Sequence, residues 1–196
     1  MKSLATVAAL CIAATLAVGQ DARISWQYQV PLLAQDSVLN GLTSIRAVAY
    51  GNDIDGDGKR EIAVTNYNQN GYVHILEVVA NDSLKLVWTS PRLTTGGGVS
   101  TPRFVQFGDL DGDGRGEVIF QSNAIGFLVF EWDGTVGTDN YGTSPSQTLG
   151  VGASLIQNVT GNCEYFEVGD IDGDGTQELS VAYNANTNAT DIYYIF

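Results

Sequence analysis

The chain's 196 residues, 44% of them hydrophobic, are enough for one domain with a real core and too apolar for disorder. A formal net charge of −13, with only nine Lys and Arg in scattered positions, argues against nucleic acid as a partner and disfavours anionic membranes.

Residues 1–19 read as a secretory signal peptide. Lys2 gives a short positive start, Leu4 to Val18 an apolar run, and Ala17-Val18-Gly19 the small residues of a cleavage site. The run falls short of the ~20 residues a membrane span needs, so no membrane insertion is expected. The mature chain is expected to begin near Gln20, where the loss of Lys2 takes the net charge from −13 to −14. One cysteine then remains, Cys163. A lone thiol cannot staple a fold, and it is read as a partly buried structural group.

Beyond Gln20 the pattern is that of strands. The segment "RISWQYQV" (23–30) is followed by a first unit with alternating Val48/Tyr50, an acidic string from Asp53, alternating Ile62/Val64, and a second apolar strand "YVHILEV". "NQNG" (68–71) and "ANDS" (80–83) are hairpin-turn material. The order then recurs. Val105/Phe107, a string from Asp109, Val118/Phe120 and "FLVFEW" form a second unit. Phe166/Val168, a string from Asp170, Leu179/Val181 and "DIYYIF" form a third. "TTGGGVS" (94–100) and residues 134–146 read as longer surface loops. An aromatic-then-proline mark precedes each string, ending at Pro31, Pro91 and Pro145.

The strings repeat at intervals of 56 and 61 residues. Each unit reads as strand, acidic loop, strand, turn, strand, turn, strand, which is one four-stranded antiparallel sheet of propeller-blade size. The expected fold is therefore all-β with almost no helix, in units of roughly 31–90, 91–144 and 145–196. The last unit stops inside its third strand. The chain is accordingly expected to be part of a larger propeller with further blades, or else to complete a small closed or homo-oligomeric assembly with its N-terminal strand.

Each string has the form D-x-D-G-D-G-x-x-E. The carboxylates are Asp53, Asp55, Asp57 and Glu61; Asp109, Asp111, Asp113 and Glu117; Asp170, Asp172, Asp174 and Glu178. Alternate acids on a curled loop converge on one point, and the glycines permit the curl by accepting positive φ. Two like charges 4 Å apart repel by ~4 kcal/mol at an effective dielectric of about 20. A hard divalent cation relieves this, and Ca²⁺, which takes 6–8 oxygens in flexible geometry, suits the set best. The backbone carbonyls of Lys59, Arg115 and Thr176 at position 7, with water, are the expected remaining ligands. An EF-hand would require Glu at position 12, where Val64, Phe120 and Val181 stand in strand patterns. About three Ca²⁺ sites are expected.

These strings resemble the calcium loops of FG-GAP/VCBS-type repeats, the blades of integrin-α-like β-propellers. Phe107-Gly108 and Val168-Gly169 stand where that family has Phe-Gly, while its Gly-Ala-Pro portion is absent between the strands. The resemblance covers most of the mature chain. It implies that the acids above are calcium ligands and that the position-7 residues contribute carbonyls.

No string typical of a serine hydrolase, a zinc protease or a nucleotide-binding loop occurs. His74 occupies the place that Leu128 fills in the next unit, which gives it a structural reading. Trp26, Trp88 and Trp132 read as packing residues rather than a sugar platform. The expectation is a secreted, non-catalytic calcium-binding repeat protein acting in adhesion or binding, with an extracellular protein or glycan as ligand. The alternative is a non-catalytic propeller region of a larger secreted hydrolase or lyase.

Overall fold

Apolar alternation broken by Asp-, Asn- and Gly-rich turns yields strands throughout the computed structural model, which describes residues 45–67, 71–81, 83–92, 94–95, 98–99, 101–122, 126–149, 163–183 and 192–195. The expected signal peptide, Trp26 and Pro31 lie outside these. Among the described residues there is no helix.

Strands β1 (Ile45–Tyr50), β2 (Glu61–Asn66), β3 (Tyr72–Ala80) and β4 (Ser83–Thr89) form one antiparallel sheet in chain order. Next come two short strands, β5 (Thr94–Thr95) and β6 (Gly98–Val99), which pair with each other. Strands β7 (Val105–Gly108), β8 (Glu117–Ser122), β9 (Gly126–Glu131) and β10 (Gln147–Leu149) form a second four-stranded antiparallel sheet. Strands β11 (Phe166–Gly169), β12 (Glu178–Tyr183) and β13 (Ile192–Ile195) form a third sheet in the same order. This is the arrangement of propeller-type blades.

Two details depart from the repeat spacing. The segment 94–100, expected as plain loop, carries the β5–β6 ladder. The second sheet also runs past residue 144, because Gln147–Leu149 hydrogen-bonds along β9 opposite Phe127–Val129. Spacing alone locates loops, but only pairing decides which sheet owns a strand.

The period of two along β8 and β9 explains how the sheets stack. Val118, Phe120, Leu128 and Phe130 pack toward the first sheet with Ala49, Ala63, Val73, Ile75 and Trp88. The intervening Ile119, Phe127 and Val129 pack toward the third sheet with Cys163, Phe166, Leu179 and Val181. The second sheet is thus buried on both faces, and each large apolar side chain it buries stabilises the fold by ~1.5–3 kcal/mol. Trp88 sits edge-on to Phe130 at 5.3 Å and donates its indole N–H to the Gly142 carbonyl at 3.1 Å. Trp88 and Trp132 are both packing residues of this core.

The first alternating pair behaves differently from its counterparts. Val105 and Phe166 are buried, whereas Val48 and Tyr50 are 59% and 60% exposed. In register, Tyr50 and Phe107 are equivalent, each opposite the second residue of the strand after the loop. Phe107 lies against Gly51 of the first sheet, where an added Cβ would come within 2.9 Å of its ring. Val168 crowds Gly108 in the same way, at 2.6 Å. The glycine before the first loop and the glycine before the second therefore make room for the apolar residue of the next sheet. Tyr50 has no such described neighbour.

His74 is fully buried on β3, its Nδ1 2.9 Å from the Thr89 hydroxyl. Cys163 is a buried thiol that donates to the Tyr165 carbonyl at 3.1 Å, and it is pushed up to about 12 by its burial and then by Glu164. Both placements are structural.

Candidate metal centre

Each acidic string links the first strand of a sheet to the second, and its backbone is folded by its own carboxylates. In the first loop the Asp57 amide donates to Asp55 Oδ1 at 3.1 Å, the Gly58 amide to Asp53 Oδ2 at 2.9 Å, and the Lys59 amide to Asp57 Oδ1 at 2.8 Å. The Ile54 amide donates to Glu61 Oε2 at 2.6 Å, closing the loop on the strand that follows. The glycines at positions 4 and 6 have φ of 73° and 91°, a region that costs side-chain-bearing residues energy.

The second loop reproduces every one of these bonds: Asp113 to Asp111 Oδ1, Gly114 to Asp109 Oδ2, Arg115 to Asp113 Oδ1, and Leu110 to Glu117 Oε2 at 2.6 Å. So does the third: Asp174 to Asp172, Gly175 to Asp170, Thr176 to Asp174, and Ile171 to Glu178. In the first two loops each acid gives one carboxylate oxygen to a loop amide, which fixes it and leaves its second oxygen for another partner, whereas Asp170 of the third loop accepts amides on both oxygens, from Gly173 at 2.7 Å and Gly175 at 3.0 Å. In the first two loops Asp55 Oδ2, Glu61 Oε1 and Asp109 Oδ1 are buried without a hydrogen-bond partner. Buried carboxylate oxygens are costly unless a proton or a cation reaches them. The donor set is all oxygen, which fits a hard cation such as Ca²⁺.

The acids come together within 4.8 Å as Asp53, Asp55 and Asp57; as Asp109, Asp111 and Asp113; and as Asp170, Asp172 and Glu178. Glu117 joins Asp111 in a further group with Glu131. Glu61 and Asp174 stand outside the groups of their own loops. At position 7, the amides of Lys59, Arg115 and Thr176 bond the position-5 carboxylate, and two of the side chains act as cations. Lys59 Nζ pairs with Asp57 and, at 3.1 Å, with Glu77. Arg115 pairs with Asp113 at 2.9 Å and with Glu131.

Glu77 and Glu131 were not among the expected ligands. They lie on the third strand of their sheets, directly opposite Glu61 and Glu117. The available signal was an acid inside an otherwise apolar strand in both "YVHILEV" and "FLVFEW". Such a residue is anomalous unless the sheet pairing gives it a partner.

Electrostatics follow burial. Glu61 and Glu117 are each pushed up to about 7, chiefly because burial disfavours the charged form. The amide bonds from Ile54 and Leu110 oppose this. Neighbouring carboxylates add to it: Asp139, Asp55 and Asp53 around Glu61, and Asp111, Asp109 and Glu131 around Glu117. Asp55 is raised by burial first, and Asp57 is lowered foremost by its bond from Lys59. A bound divalent cation would reverse the penalty on the buried acids.

Residues 53–120, from the first acidic loop through β8, match the family model described as FG-GAP-like repeat. No curated protein matches the chain. Among the described residues no helix is long and apolar enough to cross a membrane.

Proposed function

We propose that this FG-GAP-type repeat protein is a calcium-braced, non-catalytic binding protein that works outside the cell on an extracellular protein or glycan. The observation that carries the calcium reading is the triplicate loop: one amide network built three times, leaving buried carboxylate oxygens unpartnered in the first two copies. The leader-like residues 1–19, and the extracellular setting typical of FG-GAP repeats, support export. The blade frame does not name the ligand.

Within this reading the protein's own residues do most of the work. Loop amides orient each acid before any ion arrives, so little ordering remains at binding. Asp53, Asp55, Asp57 and Glu61 would hold the first ion, Asp109, Asp111, Asp113 and Glu117 the second, and Asp170, Asp172, Asp174 and Glu178 the third. A bound ion neutralises the repulsion among them. It also fastens the first strand of each sheet to the second, because the position-9 glutamate belongs to that second strand. Three ions would take the mature chain from −14 to −8.

Calorimetric titration of the chelator-stripped protein tests the reading. Three binding events are expected, and Asp55→Ala, Asp111→Ala and Asp172→Ala should each remove one. Absence of binding at millimolar Ca²⁺ would falsify it.

A further inference from the structure

The first acidic loop is covered by a segment from the second sheet. After β9 the chain forms a loop organised by Asp133, whose carboxylate accepts from the Thr135 amide at 2.8 Å and from Asn140 Nδ2 at 2.6 Å. Trp132, buried beneath it, donates its indole N–H to the Thr138 carbonyl at 2.8 Å. So anchored, the loop reaches across to the first sheet. The Gly137 amide donates to the Asp55 carbonyl at 3.0 Å. Val136 lies over Gly56, 3.6 Å from where a Cβ would stand.

Two polar side chains of this segment lie within electrostatic reach of the acids of the first sheet. Tyr141 is 1% exposed, its hydroxyl has no hydrogen-bond partner, and the charges acting on it are Glu61, Asp139 and Asp55. Asp139 Oδ1 is likewise buried and unpartnered, and the carboxylates acting on it are Asp55, Glu77 and Asp57, opposed by Lys85. A phenol hydroxyl buried without a partner is rare in folded proteins. So is a carboxylate oxygen buried without a donor while three other carboxylates act on it. Both are explained if something positively charged or hydrated occupies the space they face together with Asp55 Oδ2 and Glu61 Oε1.

We propose that the cation of the first loop is shared between two sheets, with Asp139 reaching its coordination shell from the second sheet through a bound water and Tyr141 donating to the same carboxylate cluster. This rests on the calcium reading above and adds an inter-sheet partner to it. Asp139 belongs to the other sheet and joins no close group of acids among the described residues, so it is assigned the outer position, whereas Glu61, which also joins none, is tied into the first loop by its bond from the Ile54 amide. The second loop is touched differently: the Asp109 amide donates to Gln177 of the third sheet at 2.9 Å, a neutral contact. The first site is therefore the one that calcium uses to couple sheets.

The test is calorimetric Ca²⁺ titration of the full chain carrying Asp139→Asn, alone and with Asp55→Ala. Loss of an outer-shell partner typically costs ~10–100-fold in metal affinity. Asp139→Asn should weaken the event that Asp55→Ala abolishes by about that factor and leave the other two unchanged. In the Asp55→Ala background it should have no further effect. Tyr141→Phe should weaken the same event by less, and it serves as the test should Asp139→Asn fail to fold, as judged by near-UV circular dichroism. Unchanged affinities in both variants, or equal weakening of all three events, would overturn the inter-sheet assignment. Failure of the unmodified protein to bind Ca²⁺ would instead sink the calcium reading itself.

Discussion

The first and third acidic loops share spacing, glycine positions and amide bonds, yet they stand in different surroundings. In the first, Asp55 and Glu61 are almost wholly buried, Glu77 stands opposite across the sheet, and a loop of the second sheet closes over the top. In the third, Asp170 to Thr176 are exposed and Glu178 is half-buried. Water screens the third loop's charges, whereas in the first loop the buried Asp55 and Glu61 repel one another with little screening, Asp53 and Asp57 being exposed. The same nine-residue string can therefore be a tolerable acidic turn in one place and an unstable one in another. The difference is set by what packs on it.

The strongest way to break that comparison is to remove divalent metal altogether. Saturation of one site at 100 times its Kd stabilises a fold by ~2.7 kcal/mol, so three sites contribute about 8 kcal/mol. For a chain of this size that corresponds to a fall in Tm of roughly 15–30 °C on adding chelator, read by calorimetry. Restoring Ca²⁺ to Asp172→Ala should recover most of the loss, and restoring it to Asp55→Ala markedly less. Equal recovery in the two variants would show that the surroundings of the loops do not matter.

The pH dependence of the stripped protein sharpens the same point. Glu61 and Glu117 have folded-state pKa values of about 7 against an ordinary 4.5. Between those values the folded state binds more protons than the unfolded one, so stability falls as pH rises from about 4.5 to about 7. The stabilisation is fully present below the unfolded value and gone above the folded one. Urea unfolding of stripped protein across this range should show a loss on the order of a few kcal/mol, since one pKa unit is ~1.4 kcal/mol. With Ca²⁺ bound the slope should vanish. A flat profile in chelator would mean that these acids are already neutralised by something else.

Single truncations come next. Glu61→Ala and Glu117→Ala orphan the amides of Ile54 and Leu110, and an unsatisfied buried donor costs ~1–3 kcal/mol. Glu178→Ala frees the Ile171 amide to bond with water, because that residue is half exposed. The first two should therefore shift the urea midpoint of the stripped protein clearly, and the third hardly at all.

How much of this was legible beforehand follows from which forces are local. The three loops, their glycines and the flanking strands are written in contiguous residues, because a curled acidic turn is specified by its own carboxylates and amides. Glu77 and Glu131 were missed because their role depends on register across a hairpin. Asp139 was not picked out because it has no counterpart in the first unit, where the short "ANDS" turn stands in place of residues 133–146, so the repeat gives it no phase. Val48 and Tyr50 carry the same alternation as Val105 and Phe107, and only the stacking of sheets distinguishes the exposed pair from the covered one, of which Val105 is buried and Phe107 partly so.

The smallest expected effect concerns the cation already present. Lys59 pairs with Asp57 and Glu77, so it competes with a metal for Asp57, whereas Thr176 at the same position in the third loop offers no charge. Lys59→Met should tighten Ca²⁺ binding at the first loop slightly. The gain should shrink at high ionic strength, where an exposed ammonium is screened in any case. Thr176→Lys in the third loop should do the reverse, weakening that site. If Lys59→Met instead weakens binding at the first loop, the ammonium is ordering the loop rather than competing for it, and the position-7 side chain would have to be counted as part of the site.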